Sequence, residues 1–141
     1  MLILVDSREQ LPYWKGSQCA RTALLVGDYT TAKLLNLFHI ERKSMADLYG
    51  TIIQGHSRFR REILRSYENK TTLVVYVEGS KKDFVAKKFP RGQDRKIESK
   101  TLEKICNSIA LRYNLEIVWC KDREDCRVKV LKRLKVEERK V

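Results

Sequence analysis

The sequence predicts an α/β fold, a central β-sheet flanked by helices. Three observations carry that reading. Leu2–Val5 and Thr72–Glu78 (TLVVYVE) are apolar runs of strand length, the pattern of strands buried on both faces. Residues 57–67 and 102–113 instead space their apolar side chains at helical period. Strand-like and helix-like stretches then alternate along the chain.

Taken in order, Leu2–Val5 forms the first strand and ends in Asp6. An acid at the end of a buried strand is costly unless a cation meets it. Asp6 and Glu9 are therefore expected either to pair with Arg8 or Arg42 or to border a metal ion. Leu11–Gly16 (LPYWKG) breaks the pattern and reads as a loop. Its Tyr13 and Trp14 suit the edge of the core better than stacking on bases. Thr22–Val26 is expected to be a strand leading into Gly27-Asp28, and Tyr29–Lys33 pairs with Asn36–Lys43 as a hairpin with an apolar turn. Ser44 opens a helix through Ser44-Met45-Ala46-Asp47, a capping box with Asp at its last position. Gly50 to Gly55 interrupts the helical pattern. The next helix, from about Ser57 to Tyr67, has Phe59, Ile63, Leu64 and Tyr67 as its apolar stripe.

Thr72–Glu78 is the later core strand. Residues 80–96 are rich in Lys and Arg around Phe84 and Phe89 and read as a mobile basic loop with at most one helical turn. Ser99 is expected to cap a helix with Leu102, Ile105, Cys106, Ile109 and Tyr113 on its apolar face. Leu115–Trp119 is the last strand. Asp122 caps a final helix with Val128, Leu131 and Leu134 inward, and the charged run 135–141 is expected to fray. With no internal repeat or low-complexity linker, residues 1–141 read as a single domain.

Thirty basic residues against 18 acidic ones give a net charge of +12. Such a field favours a polyanion, with nucleic acid the first candidate. No apolar run is long enough to span a bilayer, and the N-terminal stretch is too short for a signal peptide, so no membrane partner is expected. Cys19, Cys106, Cys120 and Cys126 form no Cys-x-x-Cys pair, and there are two histidines, so a zinc cluster is not expected. Buried thiol is the plain reading of Cys106. A reducing, intracellular compartment, cytoplasmic or nuclear, is expected.

The chemistry concentrates between Gly27 and Asp47. Asp28 precedes the first arm of the hairpin, and Glu41-Arg42-Lys43 closes the second. Side chains alternate faces along a strand, so Glu41 and Lys43 point one way and Arg42 the other. Closing the hairpin brings two carboxylates together beside a lysine. Two carboxylates suffice for a hard cation such as Mg²⁺, and a neighbouring ammonium can position a water for attack on a phosphodiester. The same spacing also describes a solvated Glu–Lys pair of little energetic weight. His39 shares the Glu41 face and is read as a bystander. Arg58, Arg61 and Arg65 recur at helical spacing, and Lys87, Lys88 and Arg91 lie in the basic loop. Both groups suit phosphate contact or a solvated surface.

The block Gly27, Asp28, Glu41, Arg42, Lys43 and Asp47 resembles the Gly-Asp … Glu-Arg-Lys-(three)-Asp signature of XPF-type structure-specific endonucleases. Val5-Asp6-Ser7-Arg8-Glu9 resembles that family's first strand, and Leu73–Gly79 (LVVYVEG) its later core strand. The resemblance implies a restriction-endonuclease-like core built on a mixed sheet. It implies Mg²⁺- or Mn²⁺-dependent hydrolysis of DNA at branched, forked or flap structures in repair or recombination. Asp28 and Glu41 would be ligands, with Glu9 and then Asp6 completing the acidic cluster. Lys43 would position water or steady negative charge, Arg42 would orient carboxylates or reach a phosphate, and Asp47 would support the helix start or Arg42. One departure stands out: the family has arginine directly after a glycine before the second helix, whereas here Gly55 is followed by His56 and Ser57, with Arg58 delayed. Helix-hairpin-helix and helicase segments are not expected in the chain, so DNA binding is expected to use its own surface, a second copy, or a separate DNA-binding or helicase partner. The competing classes are a non-catalytic DNA-binding scaffold of the same fold, a resolvase or restriction-type nuclease, and an interaction subunit whose basic surface meets an acidic protein.

Overall fold

Six strands form one mixed sheet in the computed structural model, which describes residues 1–54 and 56–141. The strands are β1 (Ile3–Asp6), β2 (Cys19–Thr22), β3 (Tyr29–Thr31), β4 (Phe38–Lys43), β5 (Thr72–Val77) and β6 (Glu116–Trp119). The helices are α1 (Met45–Ile53), α2 (His56–Glu68), α3 (Lys81–Val85), α4 (Ser99–Arg112) and α5 (Arg123–Glu138), with a 3₁₀ turn at Gly92–Asp94. The sheet order is β2-β1-β3-β4-β5-β6. β1 runs parallel to β2 and antiparallel to β3, and β3 is antiparallel to β4. β4, β5 and β6 are parallel neighbours.

Alternation along the strands divides the core into two layers. Phe38, Ile40, Val74 and Tyr76 face α5, where they meet Cys126, Val130 and Leu134. Val75 and Val77 face the other way, onto Leu48, Ile52, Phe59, Ile63, Phe84, Leu102 and Cys106 of α1 to α4. Glu41 and Lys43 pair in register with Val75 and Val77, so they belong to the second layer, and Arg42 to the first. The sheet with helices on both faces is the fold expected from the sequence.

Several local expectations are corrected. The strand expected at Thr22–Val26 lies earlier, at Cys19–Thr22. The apolar character of residues 24–26 instead buries Leu24 and Val26 where the chain crosses from the sheet edge back to β3. Helix α1 runs through Gly50, which does not break it. Gly55, the other half of that expectation, lies outside the described residues. On α2 the buried stripe is Phe59, Ile63 and Ser66, whereas Leu64 and Tyr67 are exposed beside it. On α5 it is Cys126, Val130 and Leu134, a strict i, i+4, i+8 row; Leu134 is inward as expected, Leu131 packs partly buried beside the row, and Cys126 and Val130 take the place expected for Val128. That helix persists to Glu138, with Glu137 braced by Arg133 and Lys140. Glu98, not Ser99, occupies the N-cap of α4.

The basic loop at 80–96 is structured. Ser80 caps α3, Phe84 is fully buried, and the Lys87 ammonium donates to the carbonyls of Arg95 and Ile97. Phe84 stacks on Phe89, which also meets Tyr49, so aromatic packing fixes the segment. Tyr13 and Trp14 pack against Tyr29 at the edge of the core, as expected. All four cysteines are free, and Cys106 is buried. No described helix is long and apolar enough to cross a membrane.

Candidate active site

Gly27 sets the entry to the site. Its φ of +74° is left-handed, and a Cβ there would sit 3.0 Å from the Ile40 carbonyl oxygen. Only glycine accommodates both demands without strain. The preceding Val26 carbonyl accepts from His39 Nδ1 at 2.7 Å, while His39 Nε2 accepts from the Asn36 N–H at 2.9 Å. That pattern fixes a neutral imidazole with its proton on Nδ1, and burial lowers its pKa in the same sense. His39 is thus a clamp behind the loop that delivers Asp28.

Asp28 is pinned by its backbone between two strands. Its N–H donates to Ile40 O and its carbonyl accepts from the Asp6 N–H, each at 2.8 Å. Its Oδ2 accepts from the Arg42 N–H at 2.8 Å. This places the Asp28 carboxyl close to that of Glu41, whose charge acts on it. Lys43 Nζ lies 3.3 Å from Glu41 Oε2. The convergence of Asp28, Glu41 and Lys43 expected from the hairpin is therefore present.

Both carboxyls are held well above the usual carboxylate range. Burial is the main cause for each. For Asp28 the next is the charge of Glu41, and for Glu41 the charge of Glu62. Carboxylates crowded together without enough countercharge retain protons. A divalent cation would replace those protons, so the electrostatics fit a cation site.

Glu41 and Lys43 open onto a cleft of about 680 Å³ between α1 and α2, lined also by Asp47, Gly50, Gln54, Ser57, Arg58 and Glu62. Glu62 was absent from the sequence expectations. Its Oε1 is fully buried with no hydrogen-bond partner among the described residues. Burial and then the charge of Asp28 raise its pKa. The only signal in the sequence was its place four residues after Arg58, on the same helical face.

Arg42 points to the opposite layer. Its Nε and Nη2 donate to the two oxygens of Glu9 at 2.9 and 3.1 Å, and its Nη1 to Glu78 Oε1 at 3.0 Å. The side chains of all three are no more than 10% exposed. Arg123 donates to Glu78 Oε2 at 3.1 Å and lies 4.7 Å from the Tyr13 ring centre, and the Tyr13 hydroxyl also donates to Glu78. The Arg42 guanidinium thus orients the Glu9 and Glu78 carboxylates and is turned away from the cleft. Asp6 is held by Arg8, at 2.9 and 3.1 Å, and by the Leu24 N–H. Asp6 and Glu9 thus take the arginine pairing that the sequence left open beside metal binding, and Glu9 still contributes to the field on Asp28.

Asp47 is exposed on the first turn of α1, at the cleft rim. Its backbone N–H donates to Ser44 Oγ, so the cap is Ser44's side chain and the bond does not involve the Asp47 carboxylate; Arg42 pairs with Glu9 on the other face of the sheet. Arg58 reaches the cleft, and Arg65 donates to the Leu25 carbonyl at 3.1 Å. Arg61 is exposed but does not line the cleft. Lys87, Lys88 and Arg91 do not line it either: their segment packs on Tyr49, Arg91 pairs with Asp94, and Lys88 is exposed. Among the described residues, no three His, Cys, Asp or Glu side chains are close enough to hold one metal ion directly. Two carboxylates are sufficient where water and substrate phosphate complete the shell.

A family model described as the ERCC4 domain matches residues 5–132. No curated protein matches the sequence. Among solved structures, XPF from Aeropyrum pernix is similar with a TM-score of 0.72 at 20% identity, over 97% of this chain and 61% of that one. XPF from Aeropyrum pernix in complex with DNA is similar with a TM-score of 0.71 at 20% identity, over 98% of this chain and 65% of that one. The chain thus spans less than two thirds of either, and the likeness shows a shared fold.

Proposed function

This chain belongs to the ERCC4 domain family, and on that premise we propose that it is a divalent-metal-dependent endonuclease acting on branched or forked DNA. One observation carries the reading: the Asp28 carboxyl lies close behind that of Glu41, and Glu41 and Lys43, 3.3 Å apart, line a cleft, in a chain of net charge +12. Asp28 and Glu41 would hold Mg²⁺ or Mn²⁺. Bound there, the cation supplies Lewis-acid stabilisation of phosphoryl oxygen and an acidified water.

The chain's own residues account for the rest. Lys43 holds Glu41 in orientation and presents its ammonium to the cleft, where it steadies an attacking water or charge on the phosphate. The Arg42 backbone N–H aims Asp28, and its guanidinium locks the layer behind. Arg58 at the rim suits phosphate contact, and Arg65, two turns further along α2, would add to the basic field. Arg61, Lys87, Lys88 and Arg91 are assigned to the outer basic field, where they favour association without touching the reacting phosphate. A second copy of the chain, or a separate DNA-binding or helicase partner, would extend the contact with DNA.

A labelled panel of fork, flap, four-way and linear duplexes, with Mg²⁺, Mn²⁺ or EDTA, tests the proposal. Metal-dependent cutting of the branched substrates is expected. Binding with no cut under any metal would favour a DNA-binding scaffold. Preference for the four-way duplex would place the protein with resolvases, and cutting of linear duplex with restriction-type nucleases.

A further inference from the structure

We propose that Glu62 is a third carboxylate of the metal centre, a positioning residue that acts on the cation through its hydrating water. This rests on the nuclease reading above and adds a residue that lies outside the Asp28, Glu41, Lys43 constellation. Glu62 projects from α2 into the cleft that Glu41 and Lys43 line from the sheet. Its Oε1 is enclosed yet has no hydrogen-bond partner among the described residues. Sheltered carboxylate oxygens are rarely left so, because desolvation without a bond is costly.

Lys43, Arg65 and Arg8 act most favourably on the Glu62 charge, and each is engaged elsewhere. Lys43 pairs with Glu41, Arg8 with Asp6, and Arg65 donates to the Leu25 carbonyl. Arg58, one helical turn earlier and lining the same cleft, makes no bond to this oxygen. A hydrogen-bond donor that enters the cleft, met by a turn of the Glu62 carboxyl, would fill the place. A hydrated divalent cation seated on Asp28 and Glu41 brings water donors to that wall. Direct ligation by Glu62 together with both other carboxylates does not match the spacing, since no three such groups cluster closely enough among the described residues. Contact through water does.

The test is Mn²⁺ binding to the full chain without DNA, followed by loss of the free-ion spin-resonance signal, in wild type, Glu62→Gln, Glu62→Asp and Asp28→Asn. Removal of an outer-shell partner commonly weakens metal affinity about 10- to 100-fold. Glu62→Gln is expected to weaken Mn²⁺ binding about tenfold, with Glu62→Asp recovering part of the loss. Melting curves confirm that each variant is folded, and if Glu62→Gln is not, Glu62→Asp alone decides through its own weakening. Wild-type affinity in the folded Glu62 variants, with Asp28→Asn weakened, would overturn the role of Glu62 and leave the nuclease reading standing. Absence of Mn²⁺ binding in wild type, or unchanged binding in Asp28→Asn, would overturn both.

Discussion

Glu41, Arg42 and Lys43 are consecutive, yet the two faces of β4 treat their charges in opposite ways. Behind the sheet, Arg42 meets Glu9 and Glu78, and Glu78 meets Arg123 and Tyr13. Each buried oxygen there has a donor. On the cleft side, one lysine, Lys43, pairs with Glu41 beside Asp28 and Glu62, and Glu62 Oε1 has no partner among the described residues. The closed face holds the strands in place. The open face stores unbalanced negative charge that a cation would relieve.

The sharpest way to break this contrast is to mutate each face and ask which property moves. Lys43→Met on the open face is expected to slow metal-dependent cleavage about 10²- to 10³-fold, with the melting temperature changed by only a few degrees. Arg42→Ala on the closed face should do the reverse, because it strands the buried Glu9 carboxylate and removes one of the partners of Glu78. A loss of about 3–5 kcal/mol is expected, which lowers the melting temperature by about 10 °C or more. Denaturant titration checks it. A wild-type melt for Arg42→Ala would show that the closed network does not hold the fold.

The pH dependence sharpens the same comparison. Asp28 and Glu41 have raised pKa values in the fold, through burial first and then neighbouring negative charge. Without metal, the folded state keeps protons that the unfolded chain releases near pH 4. Stability from these groups therefore falls as pH rises from there through their folded pKa values. Metal-free Asp28→Asn should become more stable than wild type over that range, by on the order of 1–2 kcal/mol. Saturating Mn²⁺ should narrow the gap, because it stabilises wild type alone. Melting temperatures against pH in EDTA and in Mn²⁺ measure both effects, and parallel curves for the two proteins would contradict the crowded-carboxylate picture. The smallest effect is expected from Arg58→Ala, about 1 kcal/mol in DNA binding with a salt slope shallower by about one.

The sequence showed the open face far better than the closed one. Alternation placed Glu41 with Lys43, and Asp28 was legible as their partner because the hairpin is local. Glu78 and Arg123 were not legible, since their meeting depends on how α5 crosses the sheet, which no short-range pattern records. The same limit explains the buried row on α5, where the inward face is selected by Tyr76 and Ile40 across the layer. Residues 80–96 read as a loop because lysines dominate, while burial of Phe84 and its stacking on Phe89 anchor the segment. Glu62 was hidden within a run of arginines, and only the cleft gives it a place.

The most direct measurement is single-turnover cleavage of a labelled forked duplex in Mg²⁺ by wild type and Glu41→Gln, both shown to be folded and to bind the DNA. Wild type is expected to cut, to stop when EDTA is added, and to outpace the variant by on the order of 10³-fold. Equal rates for the two proteins, or wild-type cutting that persists in EDTA, would contradict a metal centre built on Asp28 and Glu41.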